Sequence, residues 1–313
     1  MAAWCFGIDL GGTTVKCALF RADGTVEEKW EIKTRVEDGG KEILPDIAKT
    51  ILAKMDEKHI LKENVAGVGI GIPGPVEESG EIACAVNLHW GRKNIEKELG
   101  DLTGLAVKAG NDANVAALGE MWKGGGQGAR NVILVTLGTG VGGGIIVNEK
   151  MITGAHGAAG EIGHAPVEEN EEETCNCGNK GCLEQYASAT GIARLARRAI
   201  ESENLDSVLR GMDYVTAKDV FDAYKQGDAL AEKIVEQFAS YLGRALAVFS
   251  CVADPEVIVI GGGVSKAGQV LIDCVQKHFR KHAFSACKDT AIKLATLGND
   301  AGIYGAAKLI LSK

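Results

Sequence analysis

The residues with the most definite chemistry are three cysteines and a histidine. Cys175, Cys177 and Cys182 follow a C-x-C-x₄-C spacing, and His164 stands 11 residues before the first of them. Three thiolates and one imidazole form the donor set of a tetrahedral structural zinc site. Gly178 and Gly181 let the chain fold back around an ion. Glu161 lies 3 residues before His164, and Glu184 lies 2 residues after Cys182. A zinc clip would pin both carboxylates, and fixed carboxylates with an asparagine match the many hydroxyls of a sugar. The acidic run Glu168, Glu169, Glu171, Glu172 and Glu173 reads as a solvated loop. The remaining cysteines (Cys5, Cys17, Cys84, Cys251, Cys274 and Cys287) are scattered and read as core residues.

A second chemistry is written in glycines. Asp9-Leu-Gly-Gly-Thr13 and Thr136-Leu-Gly-Thr-Gly140 are alike and 127 residues apart. Each lies between two apolar runs, so each reads as a hairpin turn, and together they suggest two related halves. Glycines let backbone N–H groups approach phosphate oxygens closely. Thr13 and Thr139 add hydroxyl donors, and Asp9, at a strand end, is placed to hold a hydrated Mg²⁺. Gly69, Gly71 and Gly74, like Gly138, Gly140 and Gly143, have dinucleotide-motif spacing, but no helix follows either set. No Gly-Lys-Ser/Thr triplet is present, so a P-loop is excluded. Asn111-Asp112 opens a helical pattern. An isolated Asp there is ordinarily an N-cap. The functional alternative is a base that accepts a hydroxyl proton, kept ionised by the helix dipole.

These residues need a scaffold, and the pattern supplies one. Val65 to Ile72 reads as a buried strand ended by Pro73-Gly74-Pro75, and Asp112 to Trp122 as a helix. Thr216 and Asp219 form a capping box, and a long helix runs from Asp228 to about Val252, before Asp254-Pro255. Val257 to Ile260 reads as a strand, Gly261-Gly262-Gly263 as a turn, and Ser265 to about His282 as a helix. Alternating strands and helices indicate the α/β class. The length of 313 residues exceeds one ordinary core, and a boundary is expected near residue 111. With 34 basic against 42 acidic residues the net charge is −8, which argues against a nucleic-acid partner. Residues 1–9 lack the basic start and apolar run of a secretory leader. The longest uncharged stretch, Asn131 to Asn148, holds five glycines and reads as strand, turn, strand rather than a membrane span. Nine cysteines without a leader point to a reducing cytoplasm.

Together these segments resemble the ROK family of sugar kinases and repressors over essentially the whole chain. The resemblance rests on Asp9-Leu-Gly-Gly-Thr13, Gly71-Ile-Pro-Gly-Pro75, Asn111-Asp112 and Leu137-Gly-Thr-Gly140. It continues through Glu161-Ile-Gly-His164, the Cys175 to Glu184 segment and Gly261-Gly-Gly263. It implies the actin-like ATPase (ribonuclease H-like) fold, with two α/β domains flanking a cleft. Those are residues 1–110, onto which a C-terminal helix at 300–313 packs back, and residues 111–299. It implies Asp112 as catalytic base and Gly74, Asn111, Asp112, Glu161, His164 and Glu184 as sugar ligands. His164 would serve zinc and sugar with its two ring nitrogens. Asp9, Gly11, Gly12, Thr13, Lys16, Thr139, Gly140, Gly262 and Gly263 would line ATP and Mg²⁺. The form of the motifs is most similar to the bacterial glucokinases of the family, whose other members phosphorylate mannose, fructose, allose or N-acetylmannosamine. The family's repressors carry a DNA-binding domain before the first turn, whereas 8 residues precede Asp9 here. A sugar-independent actin-like ATPase would have no use for a polyol pocket. A homodimer is the family expectation.

Overall fold

The computed structural model describes residues 3–312. By density of internal contacts the chain groups into two units, Met1–Gly128 with Gly144–Gly160 and Leu297–Lys313, and Ala129–Gly143 with Glu161–Thr296. The first unit opens with an antiparallel meander, β1 (Trp4–Leu10), β2 (Thr14–Arg21) and β3 (Val26–Lys33). A short turn α1 (Glu37–Gly40) and the helix α2 (Ile43–Glu57) follow, then β4 (Val65–Ile72). A small ribbon, β5 (Glu81–Ile82) with β6 (Lys93–Asn94), precedes α3 (Ile95–Thr103), β7 (Val107–Asn111) and α4 (Asp112–Lys123). The sheet order is β3-β2-β1-β4-β7, with β4 parallel to both β1 and β7.

Burial explains the strand sequences. The edge strand β3 alternates half-buried and exposed residues, whereas β4 has almost every residue buried, as a central parallel strand requires. On one face α2 packs Ile43, Ile47, Ile51 and Met55 with Phe6, Ile8 and Val15. Burying each such side chain contributes roughly 1.5–3 kcal/mol. The other face takes the C-terminal helix α10 (Ala301–Leu311), which packs on β1, β4 and α4. A Cβ on Gly69 would lie 1.7 Å from the Ala306 carbonyl oxygen, so this glycine of β4 is there for backbone contact. A Cβ on Gly305 would likewise lie 1.6 Å from the Val115 carbonyl oxygen. That close crossing of α4 and α10 places α4 in the first unit. The division therefore falls after Gly128 rather than near residue 111.

The second sheet contains β8 (Val132–Leu137), β9 (Val141–Val147), β10 (Lys150–Met151), β11 (Val257–Gly261) and β12 (Ala291–Leu294). Its order, β10-β9-β8-β11-β12, repeats the element order of the first sheet. The paired turns of the sequence thus belong to paired topologies. The helices of the second unit are α5 (Glu184–Ala187), α6 (Ala189–Ser202), α7 (Ala217–Lys225), α8 (Ala229–Ala253) and α9 (Gln269–His282). The Thr216–Asp219 capping box opens α7, and Asp228 caps α8 by accepting the Ala231 N–H at 2.9 Å. Phe238, Leu242 and Leu246 of α8 share a core with Ile258, Ile260 and Phe279. The expected single helix from Ser265 is broken. A 3₁₀ turn spans Gly263–Ala267, Gly268 adopts φ 83°, and only then does α9 begin.

Candidate active site

In the first unit the turn after β1 is closed by the Gly11 N–H bonding to the Thr14 carbonyl at 3.1 Å. Thr34 clamps it from β3's end, donating its hydroxyl to the Gly11 carbonyl at 2.7 Å and its N–H to the Thr13 carbonyl at 2.9 Å. Gly12 and Thr13 remain exposed. Asp9, the penultimate residue of β1, pairs in register with Lys16 and Gly71. Burial pushes its carboxyl above the usual range, and the Lys16 charge opposes that shift. Lys16 itself donates to the Asn299 carbonyl at 3.1 Å, so it is tied to the segment before α10.

Asn111, not Asp112, caps α4. Its Oδ1 accepts the Asn114 N–H at 3.1 Å, while its Nδ2 donates to the Gly74 carbonyl at 3.1 Å. Gly74 needs its glycine, with φ 100°. Asp112 is the first helical residue, and its Oδ1 accepts the Ala113 N–H at 2.7 Å. Asn114 was not singled out by its sequence. It is buried, donates to the Ala159 carbonyl at 3.1 Å, and keeps an Oδ1 with no hydrogen-bond partner among the described residues.

In the second unit the donor atoms of His164, Cys175, Cys177 and Cys182 all lie within 4.8 Å of one another. Cys177 Sγ and Cys182 Sγ are 3.6 Å apart, and Cys175 Sγ is 3.8 Å from His164 Nδ1. Tetrahedral zinc with Zn–S bonds of about 2.3 Å has S···S edges of about 3.8 Å, so the four residues fit the ion. Burial pushes the Cys182 thiol up to about 12, and the Asn179 N–H holds the Cys177 thiol low. A cation is what would hold all three as thiolates. With Nδ1 on the cluster, His164 Nε2 faces outward, 3.9 Å from Glu161 Oε2.

Glu184 joins this cluster to the second glycine turn. Its Oε1 is 3.8 Å from Cys175 Sγ and its Oε2 accepts the Val141 N–H at 2.9 Å. A Cβ on Gly140 would lie 2.0 Å from Glu184 Oε2, so Gly140 makes room for that carboxylate. The turn is also held from α6. The Ala189 N–H donates to the Gly138 carbonyl at 2.8 Å and the Thr190 hydroxyl to the Thr139 carbonyl at 2.7 Å. Gly262, at φ 84°, lies against Leu137, where a Cβ would meet the carbonyl oxygen at 2.5 Å. Beyond Gly263 opens a mainly apolar cavity of about 370 Å³, walled by Ala189, Thr216, Ala217, Phe221 and Val264. The sequence offered Gly263 and the Thr216 cap as signals but not the pocket they share.

The acidic run is not one solvated loop. Glu171 is buried, against Arg194, Arg198 and the Tyr186 hydroxyl. Tyr241 donates its hydroxyl to Glu168 Oε2 at 2.8 Å. Their basic and phenolic partners lie on helices α6 and α8 and on α5, far along the chain, so no local pattern announced them.

Residues 5–313 match the profile of the ROK family. The chain is 46% identical to the glucokinase of Halalkalibacterium halodurans, over 98% of this chain and 94% of that protein. Among solved structures it is similar to a ROK hexokinase from Thermus thermophilus, at a TM-score of 0.81 and 30% identity, covering 98% and 97% of the two chains. It is also similar to a ROK family glucokinase from Streptomyces griseus in complex with glucose and AMPPNP. There the TM-score is 0.70 and the identity 32%, covering 98% of each chain.

Proposed function

The chain belongs to the ROK family and has its actin-like ATPase fold, and from that premise we propose that it is an ATP-dependent glucokinase. The observation that carries the reading is Glu184, one carboxylate that touches both the metal-donor cluster and the second glycine turn. Such a carboxylate serves a polyol beside a phosphate chain. Identity of 46% with a glucokinase supports glucose as the polyol.

Asp112 is assigned as the base. It accepts the proton of the sugar 6-hydroxyl as that oxygen bonds to the γ-phosphorus and the bond to the ADP oxygen breaks. Gly74, Asn111 and Asp112 are assigned to the C4 to C6 end of the sugar, and Glu161, His164 and Glu184 to the C1 and C2 end. The second amide hydrogen of Asn111 is left for a hydroxyl, since the first goes to Gly74. Gly11, Gly12, Thr13, Thr139 and Gly140 are assigned to the phosphates, and Gly262 with Gly263 to the nucleoside, whose base fits the 370 Å³ cavity. Lys16, tied to Asn299, is assigned to shaping the first turn and countering the Asp9 charge. Mg²⁺, held from Asp9, would supply neutralisation of phosphate charge. Zinc, held by His164, Cys175, Cys177 and Cys182, would supply a rigid clip. His164 would hold the ion through Nδ1, on the cysteine side, which would leave Nε2 for a sugar hydroxyl.

A cytoplasmic location and a homodimer belong to the same proposal. All nine cysteines are unpaired, and no helix among the described residues is long and apolar enough to cross a membrane. Val248 and Val252 lie exposed one turn apart on α8, and light scattering at twice 32.8 kDa checks the dimer. The substrate is tested by one panel of hexoses with ATP and Mg²⁺. Glucose should lead in kcat/KM by at least about tenfold, or roughly 1.4 kcal/mol. A lead for N-acetylmannosamine or fructose would overturn the glucose assignment.

A further inference from the structure

Glu171 is a buried carboxylate for which the phosphoryl-transfer chemistry has no use. Its side chain is 1% exposed, in the loop between His164 and Cys175. Arg198 Nη2 donates to its Oε1 at 2.7 Å and Nη1 to its Oε2 at 3.1 Å. Arg194 Nη1 pairs with Oε2 at 2.9 Å, Tyr186 donates its hydroxyl to the same oxygen, and the Glu173 N–H reaches Oε1 at 3.0 Å. Burial alone would raise this carboxyl, yet these donors hold it well below the usual range, so it stays charged.

One partner of Glu171, Tyr186, stands two residues after Glu184, and another, Arg194, reaches the residue between them. Arg194, 10% exposed, donates through Nε and Nη2 to the Gln185 carbonyl at 3.1 and 2.7 Å. Its guanidinium also stacks 4.9 Å from the Tyr186 ring centroid. Gln185 in turn bonds the Cys182 N–H at 3.1 Å and the Glu173 carbonyl at 2.9 Å. The helix α5 has only four residues and cannot hold its own orientation. The cysteine cluster grips it from Cys182, on one side of Glu184, and Glu171 with Arg194 grips Gln185 and Tyr186 on the other.

We infer that Glu171 is a positioning residue for the sugar-side carboxylate Glu184, acting through Arg194 and Tyr186. A buried ion cluster serves geometry better than stability, because its desolvation offsets much of its attraction. This inference rests on the assignment of Glu184 to the sugar.

The test is Glu171→Gln, which keeps size and removes charge. The expected variant is folded, holds about one zinc per chain and keeps its KM for ATP within about twofold. Its KM for glucose rises at least about tenfold while kcat at saturating glucose stays within about threefold, as displacement of a binding group requires. Hydrogen exchange at residues 185–187 should quicken. A folded, zinc-loaded variant with a glucose KM within twofold of the parent overturns the inference, as does a parallel rise of the glucose and ATP KM values. Should Glu171→Gln fail to fold, Arg194→Lys keeps the charge, cannot fork onto Gln185, and carries the same expectations. If the parent enzyme turns over no sugar, the glucokinase reading falls, and the exchange measurement still decides the inference: unchanged protection at 185–187 sinks it.

Discussion

The two glycine turns begin alike and are held differently. The first, after β1, is stitched by one residue, Thr34, and its tip is exposed. The second, after β8, is enclosed by Glu184, the N-terminus of α6, and Gly262. A similar local sequence thus yields a simple hairpin turn in one unit and the hub of a polar network in the other. In the first unit, regular elements place the groups proposed for catalysis and binding: a strand end places Asp9, and a strand–helix junction places Asn111 and Asp112. In the second, a metal-donor cluster and a buried ion cluster hold irregular chain. The first kind of placement should fail residue by residue, and the second should fail as a block.

Asp112→Asn gives the largest expected effect. It leaves the Asn111 cap in place and removes the base, so kcat should fall at least roughly 10²-fold, within the 10²–10⁴ range of general-base catalysis. Glucose affinity should barely change, and a near-normal kcat would refute the assignment. Cys177→Ser tests failure as a block. It should lose zinc and raise the glucose KM by at least about tenfold, with ATP affinity kept within about twofold. Full activity in a metal-free protein contradicts the network.

Asp9→Asn separates function from stability. The folded-state pKa of Asp9 is raised, so its contribution to stability is present below the unfolded value of about 4 and is lost as pH rises through the folded value. At neutral pH the ionised carboxylate destabilises the nucleotide-free protein. The Asn variant should therefore melt at or above the parent temperature, with the gap closing in acid, while activity with ATP collapses. A variant that melts below the parent at neutral pH counts against this reading. Asn94→Ala gives the smallest effect. Asn94 caps α3 by accepting the Lys97 N–H at 2.8 Å. Its loss should cost about 1 kcal/mol in chemical denaturation and leave kcat/KM unchanged.

What could be read from the sequence follows the same division. The capping box at Thr216, the long helix α8, the strand β4 and the Cys/His cluster are all spelled by short spacings, and the structure contains them. Asn111 and Asp112 are both cap-forming residue types and their order alone does not choose between them, and the structure gives the α4 cap to Asn111. The fate of α4 depends on glycine contacts with α10, nearly two hundred residues along the chain. Glu171 was hidden among acidic neighbours because its arginines lie a loop and a helix away, and only folding selects one glutamate from five.

The most direct test of the glucokinase account is ATP turnover by the purified chain with and without glucose. ADP should form only when glucose is present, with one glucose 6-phosphate for each ADP. ADP formation at the same rate without sugar would make the chain a sugar-independent ATPase, and no turnover with any hexose would remove the kinase reading altogether.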